Sequence, residues 1–207
     1  MKKVSESTVR RLSRYYRVLQ VMEKEGEATI SSRELAQREK LTPAQVRKDL
    51  SLFGSFGTRG LGYGVKELKE RIAQILGLNR TWRVALIGVG NVGSALVSYK
   101  EFAKQGFLIK LLFDSDQRKI GKNHKGFLIK DVGDLVRDLK ENQIELVIIA
   151  VPADQAQKVV DQVVKAGVKS ILNFAPANIK VPDHVFLRTV NMAMEIEHLS
   201  FALVNLI

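Results

Sequence analysis

Residues Arg83–Ile87 (RVALI) form an apolar run that leads into Gly88-Val89-Gly90-Asn91-Val92-Gly93, and Ser94-Ala95-Leu96-Val97 follow with a helical pattern. Strand, GxGxxG and helix in that order form the dinucleotide fingerprint in its required context. Gly88 is expected to allow the tight turn, Gly90 to let the backbone approach a pyrophosphate, and Gly93 to let the helix pack closely on the strand. The amides at the start of that helix would then face the phosphates. Leu108–Phe113 (LIKLLF) reads as the second strand and ends at Asp114, near the usual spacing for the carboxylate that holds an adenosine ribose. An acid there also repels a ribose 2′-phosphate, so NAD+ and NADH are favoured over their phosphorylated forms. Asp116 competes for the role, and the Arg118-Lys119 pair weakens the exclusion of a 2′-phosphate.

The alternation continues to the end of the chain. Helices are expected over Ala95–Gln105, Asp134–Glu141 and Ala153–Ala166. Strands are expected over Glu145–Ala150, Ser170–Asn173 and Val185–Thr189. Such a pattern predicts an α/β unit with a parallel sheet covered on both faces, binding at the carboxyl ends of its strands. Val151, Pro152, Asn173, Phe174, Ala175 and Pro176 sit at such ends and are candidates for the nicotinamide side. Ordinary strand-to-helix loop chemistry is the competing explanation, above all for Val151 and Pro152.

The chain has no cysteine, which excludes disulfides, thiol catalysis and Cys-ligated zinc; no metal site is expected. No apolar stretch has the length of a membrane span, and the start of the chain does not resemble a signal peptide, so a soluble cytoplasmic protein is expected. Of the net charge of +11, residues 1–80 supply +8, with 17 Lys/Arg against 9 Asp/Glu. A basic excess concentrated in the shorter part points to a polyanion partner, or simply to a solvated basic surface.

The first eighty residues read as helices and turns. Ser7–Glu25 carries Val9, Leu12, Tyr16, Leu19 and Met22 at helical spacing and ends at Gly26. Ser31-Ser32-Arg33-Glu34 resembles a capping box opening a short helix. After the Lys40-Leu41 turn, Thr42 caps a second helix, with Pro43 at its first position and Gln45 reaching back; this helix is expected to run through Phe53. Val46, Leu50 and Phe53 face inward, while Gln45, Arg47, Lys48 and Ser51 face outward. The pair forms a helix-turn-helix whose second helix suits base edges and phosphates. Gly54–Gly64, with aromatics among its glycines, is expected to form a hairpin wing with Arg59 near its tip, placed for a minor groove. Lys66–Leu76 reads as a further helix stopped by Gly77. A small helical dimerisation module is the competing reading.

Three stretches carry a resemblance to the Rex family of bacterial repressors that sense NADH and NAD+. They are Arg10–Arg17 (RRLSRYYR), Gln45–Ser51 (QVRKDLS) and Phe53–Tyr63 (FGSFGTRGLGY). Leu78-Asn79-Arg80, the glycine fingerprint, Ala150-Val151-Pro152 and Ile171–Pro176 extend the match in order along nearly the whole chain. The resemblance implies a winged-helix domain at 1–78, a Rossmann domain at 79–190 and a terminal helix at 191–207 exchanged between the two subunits of a homodimer. It implies contacts to a palindromic double-stranded operator from Thr42, Gln45, Arg47, Lys48, Ser51, Thr58, Arg59, Gly60 and Tyr63, and release of that operator by NADH. It also implies that Tyr99 reaches the nicotinamide ring and that Arg17 joins a polar switch with a residue of the partner's terminal helix. Many family members have Asp at that last position; this chain has Asn191. Asn offers neither a full negative charge to the oxidised ring nor a salt bridge to Arg17, so a weaker NADH/NAD+ preference is expected. Tyr99 as simple packing and Arg17 as a phosphate contact remain the alternatives.

The terminal helix, about Asn191–Leu206, has two apolar faces: Met192, Ile196, Leu199, Leu203 and Leu206 on one, and Phe201, Ala202, Val204 and Ile207 on the other. Two faces need two surfaces, and a dimer reading two half-sites supplies them. The rival reading is an NAD-dependent dehydrogenase. The sheet runs almost to residue 190, leaving no room for a substrate domain, and His124, His184 and His198 lack evident Asp or Arg partners. A regulator binding CoA or another nucleotide on the same sheet type is a further alternative, against which Asp114 argues.

Overall fold

The computed structural model describes residues 4–57 and 61–205, and the chain divides into two compact units, Met1–Arg80 and Thr81–Ile207.

In the first unit, α1 (Glu6–Lys24) is capped by Ser5 and packs against α4 (Val65–Leu76), which ends at Gly77 in the left-handed conformation. Between them, α2 (Ser32–Glu39) begins with the capping box expected from sequence: Ser31 accepts from the Glu34 amide, and the Glu34 side chain accepts from the Ser31 amide. The sharp corner after α2 is made by Lys40 at φ 53°. α3 (Pro43–Ser51) follows, capped by Thr42. Leu12, Tyr15, Leu19, Leu35, Val46, Leu50, Leu68 and Ile72 meet in one buried core, so the helix-turn-helix is held by side chains from all four helices.

Two local expectations are corrected. The side chain of Gln45 does not reach back to close a capping box at α3; it points forward to Asp49, an acceptor one turn on. α3 stops at Ser51, and Phe53 is only half-buried. The tip of the hairpin expected over Gly54–Gly64 falls at 58–60, outside the described residues. Its outgoing strand, β2 (Tyr63–Gly64), pairs antiparallel with β1 (Thr29–Ile30), ahead of α2. Gly62, at φ +81°, permits this, because a Cβ there would lie 2.6 Å from the Ile30 carbonyl oxygen.

In the second unit a seven-stranded sheet has the order β5-β6-β4-β3-β7-β8-β9. Its strands are β3 (Trp82–Ile87), β4 (Phe107–Asp114), β5 (Asn123–His124), β6 (Phe127–Asp131), β7 (Leu146–Ile149), β8 (Ser170–Asn173) and β9 (Phe186–Thr189). All pair in parallel except β5, which turns back on β6. The six parallel strands have the doubly-wound Rossmann order, with the switch point between β3 and β7. Pleating divides the core: Ala85 and Ile87 point to one face, Val84 and Leu86 to the other. On the first face lie α7 (Leu135–Glu141) and α8 (Ala153–Lys165). On the second lie Leu96 and Val97 of α5 (Asn91–Val97) and Phe102 of α6 (Lys100–Lys104).

α5 and α6 take the place of the single helix expected over Ala95–Gln105, with Ser98 and Tyr99 at the break. β5 and β6 had no counterpart in the sequence reading. Their charged residues and the tight turn at Lys125-Gly126, both with positive φ, hide the period-two pattern. The last helix, α9 (Met192–Asn205), has no buried residue, and Leu199 and Val204 are 66% and 80% exposed. Leu206 and Ile207 lie outside the described residues.

Candidate functional sites

The first site is the outer face of α3. Arg47 and Lys48 are exposed there, and the Arg47 guanidinium donates to Ser32 Oγ at 3.1 Å, which braces it across the turn to α2. Ser51 is exposed and donates to the Lys48 carbonyl at 2.9 Å. Thr42 is spent on the helix cap, accepting from the Gln45 amide at 3.2 Å. Tyr63 lies in the core of this unit, where burial raises its phenol above the usual range and the Arg47 charge partly offsets the rise. Its ring therefore fixes the strand that leads out of the wing. Thr58, Arg59 and Gly60 lie outside the described residues. Arg71 holds the other side of the wing base, donating to the Ser55 carbonyl at 3.1 Å with its charge 5.4 Å from the centre of the Phe56 ring.

Behind this face lies a polar hub that the sequence reading did not assign. Asp49 is 1% exposed and accepts from Arg11 at 2.6 and 2.7 Å, from the Tyr15 hydroxyl at 2.8 Å and from Gln45 Nε2 at 2.8 Å. Burial pushes its carboxyl up, but the hydrogen bonds from Arg11, Tyr15 and Gln45 outweigh that and hold it below the usual carboxylate range. The signal was present: an Asp between Val46 and Leu50 on the inward face must find partners.

The second site is a cleft of about 510 Å³ at the carboxyl ends of β3, β4, β6 and β7. Gly88, Gly90, Asp114, Val151 and Pro152 line it, as expected from sequence, and Lys119, Gln155 and Lys158 join them. The three fingerprint glycines differ in what surrounds them. A Cβ on Gly88, at φ +95°, would meet the Ala150 carbonyl oxygen at 2.4 Å, and one on Gly93 would meet the Gly88 carbonyl oxygen at 1.8 Å. Gly90 has open space beside it, which is the condition for backbone to approach a bound group. Asn91 and Val92 are exposed at the start of α5.

Asp114 is buried and already engaged. Oδ2 accepts the Val89 amide at 2.8 Å and Lys119 Nζ at 3.0 Å, and Oδ1 accepts the Asp116 amide at 2.9 Å. A carboxylate has about four acceptor positions, so one remains for a ribose hydroxyl. Lys119 also offsets the charge that would repel a 2′-phosphate. Burial raises the carboxyl, while the Asp116 and Val89 amides and Lys119 lower it further, leaving it below the usual range. Asp116 is paired with Arg118 instead.

The remaining candidates lie elsewhere. Asn173 is fully buried and closes its own turn, with Oδ1 accepting the Ala175 amide and Nδ2 donating to the Ala175 carbonyl, both at 2.9 Å. Ala175 is buried, Phe174 half-buried and Pro176 exposed. Tyr99 is 54% exposed at the α5–α6 break and meets Phe102 edge-on at 5.1 Å. Asn191 accepts the Ala193 amide at 3.0 Å at the start of α9, and Arg17 is exposed on α1.

A helix-turn-helix unit followed by a Rossmann-type unit, each with its own site, defines the class: an α/β chain that pairs a DNA-binding fold with a dinucleotide-binding fold. Two family models match its parts, one described as a putative DNA-binding protein N-terminus over residues 3–51 and one as a CoA binding domain over residues 79–177. The redox-sensing transcriptional repressor Rex of Carboxydothermus hydrogenoformans is 48% identical, with 96% of each chain covered. That of Desulforamulus reducens is 45% identical, over 97% of this chain and 96% of its own. A solved structure of RSP in complex with β-NAD+ and operator DNA matches with a TM-score of 0.94 at 39% identity, covering 98% of this chain and 94% of that one. The chain belongs to the Rex family. Its relatives are named as transcriptional repressors rather than enzymes.

Proposed function

We propose that the chain is a DNA-binding transcriptional repressor that senses the NADH/NAD+ ratio and leaves a palindromic operator when NADH binds. The observation that carries this reading is the presence, in one Rex-family chain, of a basic recognition helix and a glycine-cradled cleft with a candidate ribose acid. Solved RSP complexes with operator DNA and with β-NADH support both ligands.

Arg47 and Lys48 supply the contacts to bases and phosphates, supported by Thr42, Gln45 and Ser51, with Arg59 in the minor groove flanked by Thr58 and Gly60. The cofactor lies with its pyrophosphate over Gly88–Gly93 and its adenosine ribose on Asp114. Its nicotinamide lies toward Tyr99, Val151, Pro152 and the Asn173–Pro176 turn. Its two redox states differ by one positive charge on the nicotinamide; the residues we assign to reading it are Tyr99, Arg17 and, from the terminal helix exchanged between subunits, Asn191.

The working form is a homodimer through α9, because a helix apolar on two faces with no buried residue needs a second chain. Its two recognition helices address half-sites about 35 Å apart, or a multiple of that. For NADH to weaken operator binding a hundredfold, the two sites must be coupled by about 2.7 kcal/mol, and the operator must weaken NADH binding equally. A repressor of this kind works in the cytoplasm; no described helix is long and apolar enough to cross a membrane.

The test is operator binding by the full-length protein, titrated with NADH and with NAD+ at fixed salt. Release by NADH but not by NAD+ is the expected result. Tight binding indifferent to both removes the sensor, and no DNA binding with tight NAD(H) binding removes the repressor.

A further inference from the structure

Gln45 sits in the first turn of α3, beside the exposed face that carries Ala44, Lys48 and Ser51. Its amide nitrogen donates to Asp49 Oδ1 at 2.8 Å. Asp49 cannot accept that amide the other way round. An ionised carboxylate has no proton to donate, so it holds the nitrogen end of the Gln45 amide inward. The carboxylate is itself immobilised, because Arg11 grips both oxygens and the Tyr15 hydroxyl takes Oδ2. With four hydrogen bonds it has no acceptor position left for water.

The outward edge of Gln45 therefore keeps one N–H and the carbonyl oxygen, a donor beside an acceptor. In the major groove only adenine presents the complementary pair, an N7 acceptor beside an N6–H donor; guanine presents two acceptors.

We propose that Gln45 reads an adenine in each half-site and that Asp49 is the positioning residue that fixes its amide in the reading orientation. This rests on the repressor reading above and adds to it a base and the reason for its choice. Arg47 and Lys48 keep the contacts given above; Gln45, with its amide held by Asp49, adds selectivity for one base.

The experiment is enrichment of operators from a randomised duplex library by the full-length protein, repeated with Gln45→Ala, Asp49→Asn and Tyr15→Phe. The wild type is expected to enrich adenine at one symmetry-related pair of positions. Gln45→Ala is expected to lose that preference alone, binding the selected site about tenfold or more weakly. Asp49→Asn, whose amide can either donate or accept, frees Gln45 to turn over and is expected to admit guanine at the same positions. Tyr15→Phe removes a bond to Oδ2 but leaves Oδ1 on Gln45, so it loses stability without changing the selected base.

A Gln45→Ala protein that enriches an unchanged site, still released by NADH, overturns the proposal and leaves the repressor reading intact. An Asp49→Asn protein as adenine-selective as the wild type overturns the positioning role. If that variant does not fold, Gln45→Ala still decides the base contact and a folded Asp49→Ser protein, whose hydroxyl can donate as well as accept, replaces it: unchanged adenine selectivity overturns the positioning role. A wild-type protein that enriches no sequence overturns both this proposal and the repressor reading.

Discussion

The backbone N–H of Val89, inside the glycine-rich turn, donates to Asp114 Oδ2 at 2.8 Å, so the acid at the end of the second Rossmann strand also clamps the loop after the first. Lys119 binds the same oxygen and reaches the Val89 carbonyl as well. Asp114→Ala should therefore weaken NADH by about tenfold or more and also destabilise the second unit. A buried amide left without an acceptor costs about 1–3 kcal/mol. NADH fluorescence titration and thermal melting of the same preparation check both effects. Lys119→Gln should retain the clamp through its own amide and sharpen discrimination against NADPH.

The three fingerprint glycines should separate by measurement. Gly93→Ala drives a methyl group into the Gly88 carbonyl and is expected to cost several kcal/mol of stability, seen as a large drop in melting temperature. Gly90→Ala meets nothing within 4 Å and should melt close to the wild type while losing most of its NADH affinity. The reverse pattern would reject the assigned roles.

How far the sequence led is clearest from these residues. The close backbone approaches at Gly88 and Gly93 are legible because each glycine lies at a fixed offset from a strand and a helix. The clamp of Asp114 on Val89 was not legible, because it joins positions 25 residues apart that only the parallel pairing of β3 with β4 brings together. Gln45 was misread for the opposite reason. A local rule, the capping box, competed with another local partner, and the buried charge of Asp49 won. β5 and β6 are hidden because short, polar strands carry little periodicity, and β1 because its partner lies more than thirty residues downstream.

Acid should unfold the protein through its buried carboxylates. Asp49 and Asp114 have carboxyls held below the usual range despite burial, and so does Asp138, where hydrogen bonds from Lys130 and Arg137 outweigh desolvation. A carboxyl whose folded value lies below its unfolded value stabilises the fold above about pH 4 and loses that contribution as pH falls toward the folded value. Melting temperature is expected to change little on account of these groups between about pH 7 and 5 and to fall steeply below about 4. Asp138→Asn should make that fall shallower. Circular dichroism melts across this range check it.

Asn191→Asp should sharpen redox discrimination. The Asn191 carbonyl accepts the Ala193 amide at the start of α9, a role Asp performs equally well, so the helix start is expected to survive the change. On the switch proposed above, the added charge is expected to favour Arg17 and an oxidised ring over a reduced one. The ratio of NADH to NAD+ concentrations needed for half-release of operator should shift several-fold relative to the wild type; an unchanged ratio would remove Asn191 from the switch.

Leu199→Lys with Leu203→Lys should give a monomer by sedimentation with the second unit still folded, since neither side chain is buried in its own chain. Operator affinity should collapse, because a single recognition helix addresses one half-site.

α9 has fourteen residues, a length at which an isolated helix is marginal in water, and it buries none of them against its own domain. On the dimeric reading its order is supplied by another copy, so subunit exchange and helix melting become one event. Dilution then acts on the same element as the ligand, and melting temperature rises with protein concentration. The abundance of the repressor becomes a second input to the switch.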